Sequence, residues 1–175
     1  MIEAARAARP GVHLREVPGP EDELVLLGGG EVLRLPRTPS AADRLLTTVR
    51  ALPRLRPLVP VAIPAPRLVG VLEDGTPFTA EARLPGVTPV GPLGAIAAGQ
   101  LAGVLAALAA VPEREAREWS VPGTGQLAHG ALTRESLLMD PVRGVLTGVV
   151  GWAPQLAEPG LDLGGLDPAL RAVLG

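Results

Sequence analysis

Apolar and polar residues alternate along the first part of the chain in a way that predicts antiparallel strands. Segment 12–17 alternates, 23–27 is a short apolar run, and 31–35 alternates again. A sheet with one buried face produces this period of two. Residues 28–30 are all glycine, and they predict a hairpin turn rather than a phosphate-cradling loop, because no helix and no lysine follow them.

Two stretches have the spacing of amphipathic helices. In the first, over about 40–52, apolar residues recur every three or four positions, and Ser40 supplies the N-cap. Prolines crowd segment 53–66, which predicts an extended connector because proline lacks a backbone donor and fixes φ. The second helix is expected from Leu93 to Leu108, and Pro112 ends it.

Two further hairpins are predicted. Segments 67–73 and 77–84 have the pattern of strands on either side of Asp74-Gly75, a pair that favours tight turns. A last hairpin is expected over 138–150, around Asp140-Pro141.

The length and the order of these elements predict the domain organisation. A chain of 175 residues is long enough for one domain with a sizeable core, or for one domain with two small lobes. We expect a β-rich lobe with one helix over 1–84 and a second lobe with the long helix, a loop and a hairpin over 85–175. The expected fold class is α+β.

Composition excludes several classes of function. The net charge is −2, and all sixteen basic residues are Arg scattered among eighteen acids, so no nucleic-acid-binding face is expected. The chain has no Cys and only two His, which excludes disulfides, thiol catalysis and a three-histidine metal site. We therefore expect no metal site and no nucleic-acid partner.

The uncharged segment 93–111 is almost long enough to span a membrane. Gln100 interrupts it and no cluster of Arg flanks one end, so we expect a helix buried between layers of protein. The first ten residues contain no apolar run and do not form a secretory signal. The expectation is a cytoplasmic protein without a membrane partner.

The most informative feature of the chain is one loop and the residues that it lacks. Residues 129–139 read His-Gly-Ala-Leu-Thr-Arg-Glu-Ser-Leu-Leu-Met, and the chain contains neither Lys nor Asn. The chain resembles the aminoglycoside phosphotransferase family in the order of motifs that span about 12 to 165, namely 30–37, 51–55, 63–66, 84–86, 129–139, 148–152 and 162–163. The resemblance implies a protein-kinase-like bilobal fold with an antiparallel N-terminal sheet and a helical C-terminal lobe.

At the positions of this chain that match the family's catalytic residues, other residue types are present. Arg34 stands at the position of the phosphate-binding lysine, and Thr48 near that of its glutamate partner, so no ion pair is expected to fix Arg34. Ala131 replaces the aspartate that positions the acceptor hydroxyl. Ser136 and Gly151 replace the asparagine and the carboxylate that hold magnesium. The resemblance implies an inactive, pseudokinase-like member without ATP or magnesium as a cofactor.

Other positions of the motif are retained. His129 and Asp162 match residues that, by resemblance, brace the loop from behind, and Trp152 matches the aromatic residue after the metal ligand. Only about a dozen residues follow Asp162, whereas the family usually continues with further helices, so the C-terminal lobe is expected to be truncated. The candidate pocket residues are Arg34, His129, Glu135 and Asp162.

Two functional hypotheses follow from these residues, and a third is weaker. The first is a non-catalytic protein that binds a small molecule or a partner, either a second copy or another protein that covers the truncated lobe, in a bacterial biosynthetic or resistance-type pathway. The second is an enzyme that uses the former kinase cleft for a cyclisation or elimination in specialised metabolism, with His129, Arg34 and Glu135 as acid–base groups. The third is residual ATP-dependent phosphotransfer.

Overall fold

The computed structural model describes residues 1–172 and 174, and the chain divides into two compact units. The first unit comprises residues 1–49 and 65–83, and the second comprises 50–64 and 84–175. Residues 173 and 175, which the predicted second lobe includes, lie outside the described residues.

The predicted lobes 1–84 and 85–175 stay a prediction, and one segment is grouped differently in the structure. Residues 50–64 belong to the second unit, although they fall within the predicted first lobe. The physical reason is burial, because Leu52, Leu55 and Ile63 are part of the second unit's apolar core.

The first unit is built on a five-stranded antiparallel sheet. Its strands, in spatial order, are β1 (Arg15–Val17), β2 (Glu23–Gly28), β3 (Glu31–Pro36), β5 (Pro77–Ala82) and β4 (Arg67–Val71). Gly29 and Gly30 have positive φ angles and form the turn between β2 and β3, as the pattern predicted. The predicted α+β class with an antiparallel sheet is confirmed.

One face of this sheet is apolar and carries the first unit's core. Leu33 and Leu35 of β3 are fully buried there, while Arg34 between them points to the opposite face. Helix α1 (Ile2–Ala8) contributes the buried Ala5 to this core. Helix α1 was not predicted from the sequence, because its short Ala-rich turns carry no long apolar stripe.

Helix α2 is longer than predicted at both ends, spanning Pro39–Leu55. The Thr38 hydroxyl accepts a hydrogen bond from the Ala41 amide at 3.1 Å, so Thr38 is the N-cap and the predicted cap, Ser40, lies inside the helix. The predicted connector therefore does not begin at Pro53, which is tolerated within the last turn of the helix.

The second unit contains the remaining helices and two short strand pairings. After the last residues of α2 come α3 (Ala95–Ala109), α4 (Glu113–Glu118), β6 (Gln126–Ala128), a 3₁₀ helix (Arg134–Ser136), β7 (Leu137–Asp140), β8 (Val145–Val149), β9 (Gln155–Ala157), α5 (Leu161–Gly165) and α6 (Pro168–Ala172). The predicted final hairpin is β7–β8. Strands β6 and β9 form a separate pair that was not predicted, because three residues are too few to show a period.

Helix α3 supplies the centre of the second unit's core. It begins at Ala95, two residues later than predicted, because Gly94 in extended conformation precedes it. Leu101, Val104 and Leu108 are almost fully buried on one face of α3, and Trp119 and Trp152 belong to the same cluster. No helix among residues 1–172 is long and apolar enough to cross a membrane.

Candidate functional site

The loop that begins at His129 is held by a carboxylate from behind. Asp162 Oδ2 accepts the backbone N–H of His129 at 2.7 Å, and Asp162 Oδ1 accepts that of Gly130 at 3.0 Å. Burial raises the pKa of Asp162, while these two N–H groups act against that rise. Both carboxylate oxygens are thus engaged with the backbone, and Asp162 positions the loop from α5.

The ring of His129 is fully buried and both its nitrogens are engaged. The Ala131 amide donates to Nδ1 at 3.3 Å, so the ring proton lies on Nε2, which donates to the Val150 carbonyl at 3.0 Å. The ring also packs against Trp152, with 4.3 Å between ring centroids. Burial lowers the pKa of His129 to about 4, so the imidazole is neutral at pH 7. A ring with this bonding has no free lone pair with which to accept a substrate proton.

Gly130 must be glycine for the loop to take this path. Its φ is +85°, and a Cβ at this position would lie 1.9 Å from the Ala153 carbonyl oxygen. The amide of Ala153 in turn donates to the His129 carbonyl at 2.9 Å, which fixes the chain after Trp152 beside the loop. Close backbone approach therefore explains the His-Gly pair without any ligand.

Ser136 closes the loop on itself at the position where the resemblance places a metal-binding asparagine. Its hydroxyl donates to the Ala131 carbonyl at 3.1 Å and accepts from the Thr133 amide at 3.2 Å. Thr133 and Ser136 together form a capping box around the 3₁₀ helix. Gly151 lies beside it with a φ of +74°, and a Cβ there would be 3.6 Å from Ser136 Oγ.

The remaining carboxylates do not assemble into a metal site. Glu135 is exposed on the 3₁₀ helix, and hydrogen bonds from its own amide and the Thr133 hydroxyl lower its pKa. Asp140 caps the β7–β8 turn by accepting the amides of Val142 and Arg143. Among residues 1–172 and 174, no three His, Asp or Glu side chains are close enough to hold one ion.

Arg34 lies on the polar face of the first unit's sheet, between two buried glutamates. Its Nη1 donates to Glu23 at 3.1 Å and its Nε donates to Glu81 at 3.3 Å. The side chains of Glu23 and Glu81 are only 3 % and 6 % exposed, whereas Arg34 is 19 % exposed. The expectation that no ion pair fixes Arg34 is therefore wrong, because the partners come from neighbouring strands instead of α2.

The polar network continues from Glu23 to the helix. Arg44 of α2 donates to the second oxygen of Glu23 at 2.7 Å and to both oxygens of Asp22. Thr48, where the resemblance places a glutamate, instead donates its hydroxyl to the Arg44 carbonyl at 2.8 Å. The resemblance places the cation on a strand and its anionic partner on the helix. In the pair between Arg44 and Glu23, the cation is on helix α2 and the anion is on strand β2 instead.

This network, which we call the Arg34 cluster, comprises Asp22, Glu23, Arg34, Arg44 and Glu81. Its three carboxylates outnumber its two guanidinium groups, so its net charge is −1 when all are ionised. Burial raises the pKa of Glu81, and the neighbouring Arg34 acts against that rise. An added anion would therefore meet a guanidinium that already has two counterions and a net negative surrounding.

A buried hydroxyl adjoins the Arg34 cluster. Thr79 stands directly opposite Arg34 in the β3–β5 pairing, so both side chains are on the same face. Thr79 is 1 % exposed, and its Oγ1 has no hydrogen-bond partner among the described residues. The cluster is thus flanked by a polar group whose burial is not compensated.

The structure brings together two of the four predicted pocket residues, His129 and Asp162, while Glu135 faces solvent nearby on the same loop. Arg34 belongs to the first unit and is bonded to Glu23 and Glu81, which were not predicted as its partners. Strand alternation could have revealed them, since both acids share a sheet face with Arg34.

Comparison with known proteins shows similarity in structure only. No protein-family model and no curated protein matches the sequence. Among solved structures, the GDP and kanamycin complex of APH(2")-IIIa is similar at a TM-score of 0.85 and 20% identity, covering 99% of this chain and 80% of that chain. A GDP complex of wild-type aminoglycoside 2'-phosphotransferase-IIIa has a TM-score of 0.81 at 21% identity, with 92% and 74% covered.

A macrolide enzyme is also similar. The macrolide 2'-phosphotransferase MphH from Brachybacterium faecium, solved as the apoenzyme, has a TM-score of 0.77 at 22% identity, and the match covers 99% of this chain and 80% of that chain. The chain has the fold of these phosphotransferases. The predicted kinase-like fold is therefore confirmed, although identities this low establish the fold alone.

Proposed function

We propose that this chain is a non-catalytic, pseudokinase-like protein that uses a phosphotransferase fold for binding. The observation that carries the proposal is the state of Arg34, whose guanidinium is bonded to Glu23 and Glu81 within the first unit. In kinases the phosphate-binding lysine has one glutamate partner, whereas Arg34 is bonded to two buried glutamates in a cluster with a net charge of −1, which disfavours an added anion.

The loop around His129 supports the same proposal. Ala131 and Gly151 have no side-chain donor or acceptor with which to position an acceptor hydroxyl or a metal ion, and the Ser136 hydroxyl bonds within the loop. Phosphoryl transfer depends on positioning and on charge neutralisation by metal ions and cations. The loop therefore keeps the hydrogen bonds that hold its shape, but it lacks side chains that could contact an acceptor hydroxyl or a metal ion.

The proposed occupant is a small molecule, a second copy of the chain or another protein, and the pathway is one of bacterial biosynthesis or resistance. Kanamycin is bound by one of the similar structures, and macrolide transferases share the fold. These two classes of antibiotic are therefore the first small molecules to test for binding without phosphorylation. Light scattering of the purified chain measures self-association directly.

An assay for phosphate transfer tests the non-catalytic proposal. The chain is incubated with magnesium, ATP or GTP, and either kanamycin or a macrolide, and nucleoside diphosphate and phosphorylated antibiotic are measured. We expect neither product. Ala131→Asp alone is also expected to be inactive, because Arg34, Ser136 and Gly151 remain unsuited to phosphate and metal.

Production of antibiotic phosphate by the unaltered chain would overturn the proposal in favour of residual phosphotransfer. The other candidate, a repurposed enzyme for cyclisation or elimination, needs a free acid–base group. No specific observation favours it, since both ring nitrogens of His129 are bonded and Glu135 is exposed.

A further inference from the structure

A small cleft in the second unit lies behind the His129 loop, and its lining includes none of the residues that carry the function proposed above. Its volume is about 100 Å³. Ten residues from α3, β6, α5 and the segment before α5 line it, among them Leu105, Leu108, Leu127, Glu158 and Asp162. Its walls are thus mainly aliphatic, with a few polar groups, which is the usual composition of a small-molecule site.

The charge of the lining is one-sided. Glu158 and Asp162 are its two ionisable side chains, and no basic residue is among the ten that line it. Glu158 is exposed and accessible to a ligand, whereas Asp162 is buried and already accepts two backbone N–H groups. A carboxylate retains further acceptor capacity after two such bonds. The cleft therefore combines an aliphatic wall with negative charge.

The size of the cleft restricts the apolar part of a ligand. An apolar cavity of about 150 Å³ is large enough for benzene. A cleft of about 100 Å³ is smaller, so it suits a short branched alkyl chain better than an aromatic ring. Leu105, Leu108 and Leu127 form the wall that such a chain would contact.

We propose that this cleft is a binding site for a small aliphatic amine. Its alkyl group lies against Leu105, Leu108 and Leu127, and its ammonium group lies beside Glu158, within reach of Asp162. Because Asp162 accepts hydrogen bonds from the amides of His129 and Gly130, binding of the amine also changes the environment of these two amides. The amine site does not depend on whether the chain transfers phosphate, so failure of one proposal leaves the other standing.

Three probes of the same shape and different charge test the proposal: 3-methylbutylamine, 3-methylbutanol and 3-methylbutanoate. Each is titrated into the ¹⁵N-labelled chain while the amide signals are followed by NMR. The amine is expected to shift the signals of Leu127, His129 and Gly130 in a saturable way, the alcohol more weakly, and the carboxylate not at all. Equal effects of amine and carboxylate, or no saturable shift with the amine, would overturn the site.

Two variants test whether the charge of Glu158 contributes to amine binding. Glu158→Gln changes an exposed side chain and is expected to weaken amine binding about threefold, as is typical of an exposed ion pair, without changing alcohol binding. Glu115→Gln removes an exposed acid from α4, outside the cleft, and is expected to change neither. An unchanged amine affinity in Glu158→Gln would contradict the assigned position of the ammonium group.

Discussion

Arg34 donates a hydrogen bond from Nη1 to the carboxylate of Glu23, with 3.1 Å between the two atoms. The two residues lie on the adjacent strands β3 and β2, so the sheet itself fixes this basic side chain. Glu23 is 3 % exposed, and it also accepts a hydrogen bond from Arg44. Loss of Glu23 would thus deprive two cations of a buried counterion.

Glu23→Gln is expected to lower the free energy of unfolding by about 3 kcal/mol, as is typical when one partner of a buried pair is removed. Urea denaturation measures the change. Glu3→Gln is the matched control, because the side chains of Glu3 and its partner Arg6 are 82 % and 62 % exposed. The control should change stability by less than about 1 kcal/mol. Equal losses in the two variants would mean that the Arg34 cluster is not a buried network.

Gly130→Ala is expected to destabilise the chain by more than about 2 kcal/mol, since it combines a strained φ with a clash against backbone. The added Cβ would meet the Ala153 carbonyl oxygen at 1.9 Å. Gly144→Ala is the control, because Gly144 also has a positive φ, +66°, but nothing lies within 4 Å of the added Cβ. Similar losses by chemical denaturation would show that φ alone matters at Gly130.

These two sites show what could be predicted from the sequence. The His-Gly pair and its brace Asp162 were found through a motif, because loops of this kind repeat the same residues at fixed spacing. Alternation within each strand could place Glu23 and Glu81 on a polar face, but they were missed as partners of Arg34 because only the β2–β3–β5 register brings them beside it. Short elements such as β6 and α5 were missed because they depend on tertiary contacts more than on local periodicity.

The ring of His129 is expected to remain neutral, with the proton on Nε2, down to about pH 5. Burial holds its pKa at about 4, below the ordinary value of 6.5. Between these values the unfolded chain binds a proton that the folded chain does not, so this residue's contribution to stability falls as pH falls, by about 3 kcal/mol in total. The raised pKa values of Glu81 and Asp162 act in the opposite direction.

Because these contributions oppose each other, the ring is best observed directly, through its imidazole ¹⁵N shifts between pH 7.5 and 5. The chain has only two histidines, so His13→Gln assigns the signals by removing the other ring. Protonation of His129 near pH 6.5 would contradict the buried, doubly bonded ring.

Thr79→Val is expected to raise the free energy of unfolding by about 1 kcal/mol, because it removes a buried hydroxyl without a partner among the described residues. Thr48→Val is the matched control, since the Thr48 hydroxyl is buried and donates to the Arg44 carbonyl. That variant should lose about 1 kcal/mol. A loss of stability in Thr79→Val would show that its hydroxyl has a partner in solution.

We propose that the chain does not bind Mg-ATP, because Arg34 is bonded to Glu23 and Glu81 and the loop has Ser136 and Gly151 at the positions where the resemblance places metal ligands. The most direct test is the melting temperature of the unaltered chain as a function of Mg-ATP concentration. We expect the melting temperature to stay constant up to millimolar Mg-ATP. A melting temperature that rises steadily with Mg-ATP, as ligand linkage requires of a specific complex, would contradict it.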